Sequence, residues 1–160
     1  MGDFSSLFAT VMAGLAAYFA VSFIIYILLV IADWKIFTKA GEPGWMSLIP
    51  ILNAYITFKI SWNTKMFWIM MGTLAGGSIC TGLAGEDGGA LAVIGAILSL
   101  IGVVIGIIDI YKLSKSFGHG IGFTLGLIFF LPLFTLILGF GSSKYIGPEG
   151  IPAANKTIIS

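Results

Sequence analysis

Apolar and polar positions segregate along this chain into long blocks. Four stretches, 7–32, 66–84, 90–108 and 122–140, carry no charged residue at all. A helix that crosses a bilayer needs about 20 mostly apolar residues, because hydrocarbon cannot hydrogen-bond an exposed backbone. Each of the four therefore predicts a transmembrane helix. A fifth apolar stretch, 45–62, is interrupted by Pro50, Asn53 and Lys59. From Pro50 onward a helix there would be only ~20 Å long, short of the ~30 Å hydrocarbon core. It is expected to lie at the cytoplasmic interface or to dip into the membrane as a re-entrant segment.

The lysines orient this arrangement. With four crossings, Lys35, Lys39, Lys59, Lys65, Lys112 and Lys115 fall on one side, and Asp3, Glu86, Asp87, Glu149, Lys144 and Lys156 on the other. Cytoplasmic loops carry the excess of lysine, so both termini are expected outside. Trp34, Trp45, Trp62 and Trp68 fall near the cytoplasmic boundary, where interfacial aromatics belong. The fold class expected is all-α and integral to the membrane. It comprises a four-helix transmembrane bundle in one domain, 1–145, with a C-terminal tail at 146–160. MGDFSS lacks the positive start of a signal peptide, so the first span is expected to be retained as an anchor.

Small residues mark where helices are expected to meet. Gly88, Ala92, Gly95, Ser99, Gly102, Gly106 and Asp109 repeat at spacings of four and three, a seam of small residues along the third span. In lipid, association depends on close backbone approach, which small side chains permit. The second span has a wider small face that includes Gly72, Thr73, Gly76, Gly77, Cys80 and Thr81. The helix-packing residues expected from these stripes are Gly95, Ser99, Gly102, Gly106, Gly72 and Gly76. The first span carries a milder stripe, Thr10, Gly14, Tyr18, Ser22 and Tyr26. Its hydroxyls suit either a neighbouring helix or a polar path.

Composition agrees with a membrane protein. Hydrophobic residues make up 58% of the 160, charged residues only 9%, and there is no Arg. A soluble domain would have about 25% charged residues, and a nucleic-acid binder would need a basic face. One Cys excludes a disulfide framework.

The two halves are alike. Asp33, Lys35, Lys39, Gly41 and Trp45 follow the first span; Asp109, Lys112, Lys115, Gly118 and Phe123 follow the third. An apolar run containing a proline comes next, with Pro50 in one half and Pro132 in the other. This suggests a diverged two-fold internal repeat, a device of transporter folds, although cytoplasmic span ends attract lysine in any case. The string Lys39-Ala40-Gly41-Glu42-Pro43-Gly44-Trp45, with Ile49-Pro50 and Asn53 after it, resembles a family of small bacterial multi-span membrane proteins of unknown function. Their pattern is KAG-x-PGW-x-x-x-IP-x-x-N. Lys115, Phe117-Gly118, Gly122-Phe123, Pro132 and Gly139-Phe140-Gly141 resemble the same group, so the likeness runs over 33–145. Glu42 stands where the family pattern has Lys. The resemblance implies a compact four-span protein of the bacterial cytoplasmic membrane and carries no activity.

Little in the chain reads as catalytic chemistry. His119 has no Cys or acid clustered with it, and Cys80 lies in an apolar span without a nearby base. No enzyme activity, catalytic residue, cofactor or metal is expected. Asp33 and Asp109 stand out, each at the cytoplasmic end of a span with a lysine two or three positions on. If the repeat is real, both reach one cytoplasmic rim, with Lys35 and Lys112 as the nearest partners. Such a rim site could take a cation or a basic residue of a partner; the plainer role is local pairing. The expected partners are the lipid bilayer and other membrane subunits or further copies of the chain. The function expected is a structural or accessory subunit of a membrane complex, with a small oligomeric channel or carrier as the alternative.

Overall fold

A computed structural model describes residues 2–85 and 88–152. The described residues form six α-helices and no strand: α1 Gly2–Lys39, α2 Pro50–Ser61, α3 Thr64–Leu83, α4 Gly89–Ser116, α5 Ile121–Phe129 and α6 Leu131–Phe140. Short 3₁₀ turns occupy Gly44–Leu48 and Pro148–Gly150. Glu86 and Asp87, expected as solubilising charges in the turn between α3 and α4, lie outside the described residues, as does Lys156.

Three helices, α1, α3 and α4, are long and apolar enough to cross a membrane. At 1.5 Å per residue they measure about 57, 30 and 42 Å, so α1 and α4 outrun a ~30 Å core. Both surplus ends close in the same way. The Glu42 amide bonds back to the Phe37 carbonyl at 2.9 Å, and the His119 amide to that of Ser114 at 3.0 Å. Gly41 and Gly118, at φ +79° and +76°, make the left-handed step that these closures require. At the start of α3, the Asn63 side chain accepts from the Lys65 amide.

The expected crossing at 122–140 is not a single helix. It breaks at Phe130 (φ −130°, ψ 48°), and Pro132 in the first turn of α6 has no N–H to carry the ladder across. Gly126 leaves room for the Phe134 ring, so α6 folds back along α5. Each arm is about 14 or 15 Å long, half of a bilayer core. Gly139 abuts Ala32, Phe140 meets Lys35, and the Gly141 carbonyl accepts from Lys39 at 2.8 Å, so α6 runs in the same direction as α1. The hairpin thus leaves and rejoins the lysine-rich end.

Residues 141–152 then pack against that end. The Ile146 amide bonds the Ser116 carbonyl at 2.8 Å, and His119 Nε2 meets Ser143 Oγ at 2.8 Å. The Tyr145 hydroxyl donates to the Ile60 carbonyl at 2.9 Å; burial, and then the Glu42 charge, push this phenol up to about 12, so it stays a donor. Asp3 begins α1, and residues 141–152 gather at the opposite end of that helix.

The buried core also sits at the lysine-rich end. Ile36, Phe37, Ile56, Ile60, Phe117 and Leu138 form it, drawn from α1, α2, α6 and the end of α4. α2 is a wedge within this end, with Ile56, Phe58, Ile60 and Ser61 buried. Farther along, α3 and α4 pair as a hairpin, while no Cα of α1 comes within 8 Å of either. From Asp3 to Leu28 every residue of α1 except Ser22 is exposed. Hydrocarbon gives apolar faces no drive to meet, whereas water drives together the apolar surfaces it can reach.

Candidate functional site: a polar helix between two carboxylates

The α3–α4 contact shows which glycines approach a neighbouring backbone. A Cβ on Gly95 would lie 2.8 Å from the Gly77 carbonyl oxygen and 2.9 Å from the Thr81 nitrogen. A Cβ on Gly77 would lie 2.8 Å from the Gly95 carbonyl oxygen and 3.0 Å from the Ser99 nitrogen. At Gly102 the neighbour is a side chain, Leu74, at 2.6 Å. Gly106 has only the Met70 sulfur at 3.8 Å. Gly72 is off the contact, with nothing within 4 Å, and Gly76 lies at its edge, with only Leu98 at 3.7 Å. The row that meets α4 is Thr73, Gly77 and Thr81, one residue, or about 100°, around the helix from the Gly72–Gly76 pair.

Neither aspartate forms an ion pair with a lysine among the described residues. Asp33 Oδ2 accepts from the Asn53 amide at 2.7 Å, and Asp109 Oδ1 accepts from the Ser61 hydroxyl. Lys35 lies 4.4 Å from the centre of the Phe140 ring. Residues two apart on a helix do not face each other, so Lys35 points away from Asp33. Lys112 lies one turn from Asp109 but bonds Glu149 at 2.5 Å and sits 4.3 Å over the Trp62 ring. The lysine pairs expected for the rim site are therefore replaced by neutral polar partners on a third element.

That element is α2. Asn53 and Ser61 are eight residues apart on it, about 12 Å along its axis. One helix thus holds both carboxylates, one near each of its ends, and they do not converge on a single vestibule. The signal lay in the stripe Asn53, Thr57, Ser61, which reads in the sequence as weak amphipathicity. Thr57 donates to the Asn53 carbonyl at 2.8 Å, and Ser116 meets the Ser61 carbonyl at 3.4 Å. Asp109 is only 4% exposed.

Two cavities flank the Asp33–Asn53 pair. An inner one of about 210 Å³ lies among α1, α2, α4, α5 and α6, with Thr57 and Thr135 in an otherwise largely aliphatic wall. An outer one of about 280 Å³ lies between α1, the Gly44–Leu48 turn and α2; Tyr26, Ser47 and Pro50 help line it. Among the described residues no three His, Cys, Asp or Glu side chains gather as a metal site would need.

These features define a multi-pass helical membrane protein with its polar chemistry at one end. The chain belongs to a family of unknown function (DUF5684), whose model matches residues 45–148. The match begins inside the first 3₁₀ turn, takes in α2 to α6 and both donor residues of α2, Asn53 and Ser61, and leaves out α1. No curated protein and no solved structure matches the chain.

Proposed function

We propose that the protein is an accessory subunit of a membrane complex in the bacterial cytoplasmic membrane, joined to its partners through α1. The observation that carries this is the exposure of α1 from Asp3 to Leu28, clear of both α3 and α4. A helix serving only as a lipid anchor needs no polar edge, yet Thr10, Gly14, Tyr18, Ser22 and Tyr26 run along one. The Thr10 hydroxyl already bonds the Ser6 carbonyl of its own helix at 2.8 Å, whereas Tyr18 and Tyr26 are both exposed and suited to acceptors on an adjacent helix. Purification in mild detergent with mass analysis tests the reading. A hetero-complex supports it. A defined homo-oligomer overturns it in favour of a small carrier, the reading that the two cavities at Asp33 favour.

The proposed topology has three crossings and a re-entrant α5–α6 hairpin. Every lysine outside the final, undescribed segment then lies on the cytoplasmic side, a stronger bias than four crossings provide. Like packing relations support the internal repeat, since α2 packs on α4 and α6 on α1. Cysteine placed at Ser6 should label from outside intact cells, and cysteine at Ser143 only after permeabilisation, both in a Cys80→Ala background. Labelling of both from outside would restore four crossings.

A further inference from the structure

From the outer cavity we infer that Asp33, Asn53 and Ser47 form a binding site for a primary ammonium group carried on a short aliphatic body. Ser47 is 2% exposed, and its hydroxyl is buried without a hydrogen-bond partner. Buried hydroxyls are nearly always paired, so one left open beside a cavity points to a missing ligand. The same cavity is lined by Asp33, whose carboxylate accepts one bond from Asn53 and pairs with no described lysine. The Ser47 backbone carbonyl faces the Asn53 amide at 3.5 Å, which ties the three residues into one cluster.

The chemistry of the wall selects the ligand. The single carboxylate excludes an anion. An ammonium has three donors and no acceptor; the Asp33 carboxylate, the Ser47 hydroxyl and the Asn53 side-chain carbonyl, which also faces the Thr57 hydroxyl at 3.4 Å, supply three oxygens. A guanidinium prefers both oxygens of a carboxylate at once, but one is already taken by Asn53. A quaternary ammonium wants an aromatic cage, and Tyr26 is the only ring in this wall. A hard divalent cation takes six or more oxygens, more than this wall offers. The rest of the lining, Leu29, Val30, Pro50 and Ala54, is aliphatic. A cavity of about 280 Å³ has room for an ammonium and a short alkyl chain. The site stands whether or not α1 recruits a partner.

The test uses the full chain in phosphatidylcholine nanodiscs, with thermal unfolding followed by tryptophan fluorescence and n-pentylammonium chloride as the probe. Saturable stabilisation is expected with the amine, and none at the same concentration of n-pentanol, tetramethylammonium chloride or sodium chloride. Asp33→Asn should weaken the apparent affinity at least ~10-fold, because it removes the charge from the strongest hydrogen bond. Ser47→Ala should weaken it several-fold, and Glu149→Gln, a carboxylate elsewhere at the same end, should leave it unchanged. Adding phosphatidylethanolamine distinguishes the source of the amine. Competition with the probe assigns the site to a lipid headgroup, and no competition assigns it to a soluble amine. Equal stabilisation of wild type and Asp33→Asn, or a sodium chloride effect matching that of the amine, overturns the proposal. If Asp33→Asn fails to elute as a folded species, unchanged affinity in Ser47→Ala overturns it instead.

Discussion

Replacing Gly95 by alanine is expected to destabilise the protein by about 1–3 kcal/mol, the usual cost of overfilling a tight contact. The added methyl meets backbone, the Gly77 carbonyl and the Thr81 nitrogen, and backbone on a paired helix cannot turn aside. Gly102→Ala should cost less, because the atoms it meets first belong to the Leu74 side chain, which can rotate. Gly106→Ala should be close to neutral. Gly72→Ala should stabilise by about 0.5–1 kcal/mol, since nothing lies within 4 Å and alanine is the better helix former. Denaturation of the purified variants in a single detergent measures the order. A Gly72→Ala variant less stable than Gly95→Ala would mean that α3 presents its other face to α4.

The second large effect is expected at Ser61. Ser61→Ala removes the hydroxyl that bonds Asp109 and leaves a buried acid without that donor, a loss of about 1–3 kcal/mol. Asp109→Asn keeps a carbonyl oxygen for the Ser61 hydroxyl and should cost less. In the double variant the two losses should fall short of adding, because both act on one contact. Strict additivity of the unfolding free energies would show that Ser61 and Asp109 act separately. Lys112→Met is the comparison. It breaks a partly exposed ion pair with Glu149, so about 0–1 kcal/mol is expected.

The same sites show why some features of this protein are legible in its sequence. The seam Gly95, Ser99, Gly102 is an intrahelical register, and a spacing of four and three places its members on one side of α4 wherever that helix goes. Choosing the facing residues of α3 is harder. Gly72–Gly76 and Thr73–Gly77 are one position apart and equally small, and only the docked helices distinguish them. Asp33 and Asp109 stand out as acids at helix ends. Their partners come from α2, 20 and 48 residues away from them, and no local spacing rule pairs residues at such distances.

What the sequence determines by itself is which segments are helical and apolar enough to enter a membrane. Backbone hydrogen bonds in hydrocarbon must be satisfied within the segment, so about 20 residues contain the whole requirement. On that basis α1, α3 and α4 follow from their own composition. Tertiary structure alone decides that 122–140 returns to its starting end. A count of apolar residues is the same for a crossing and for a folded hairpin; the difference lies in Gly139 against Ala32, Lys39 on the carbonyls of Leu138 and Gly141, and Ile146 on Ser116. The core at the lysine-rich end and the isolation of α1 are decided in the same way. Both depend on which surfaces water can reach once the helices are placed, and that is a property of the assembled end rather than of any one segment.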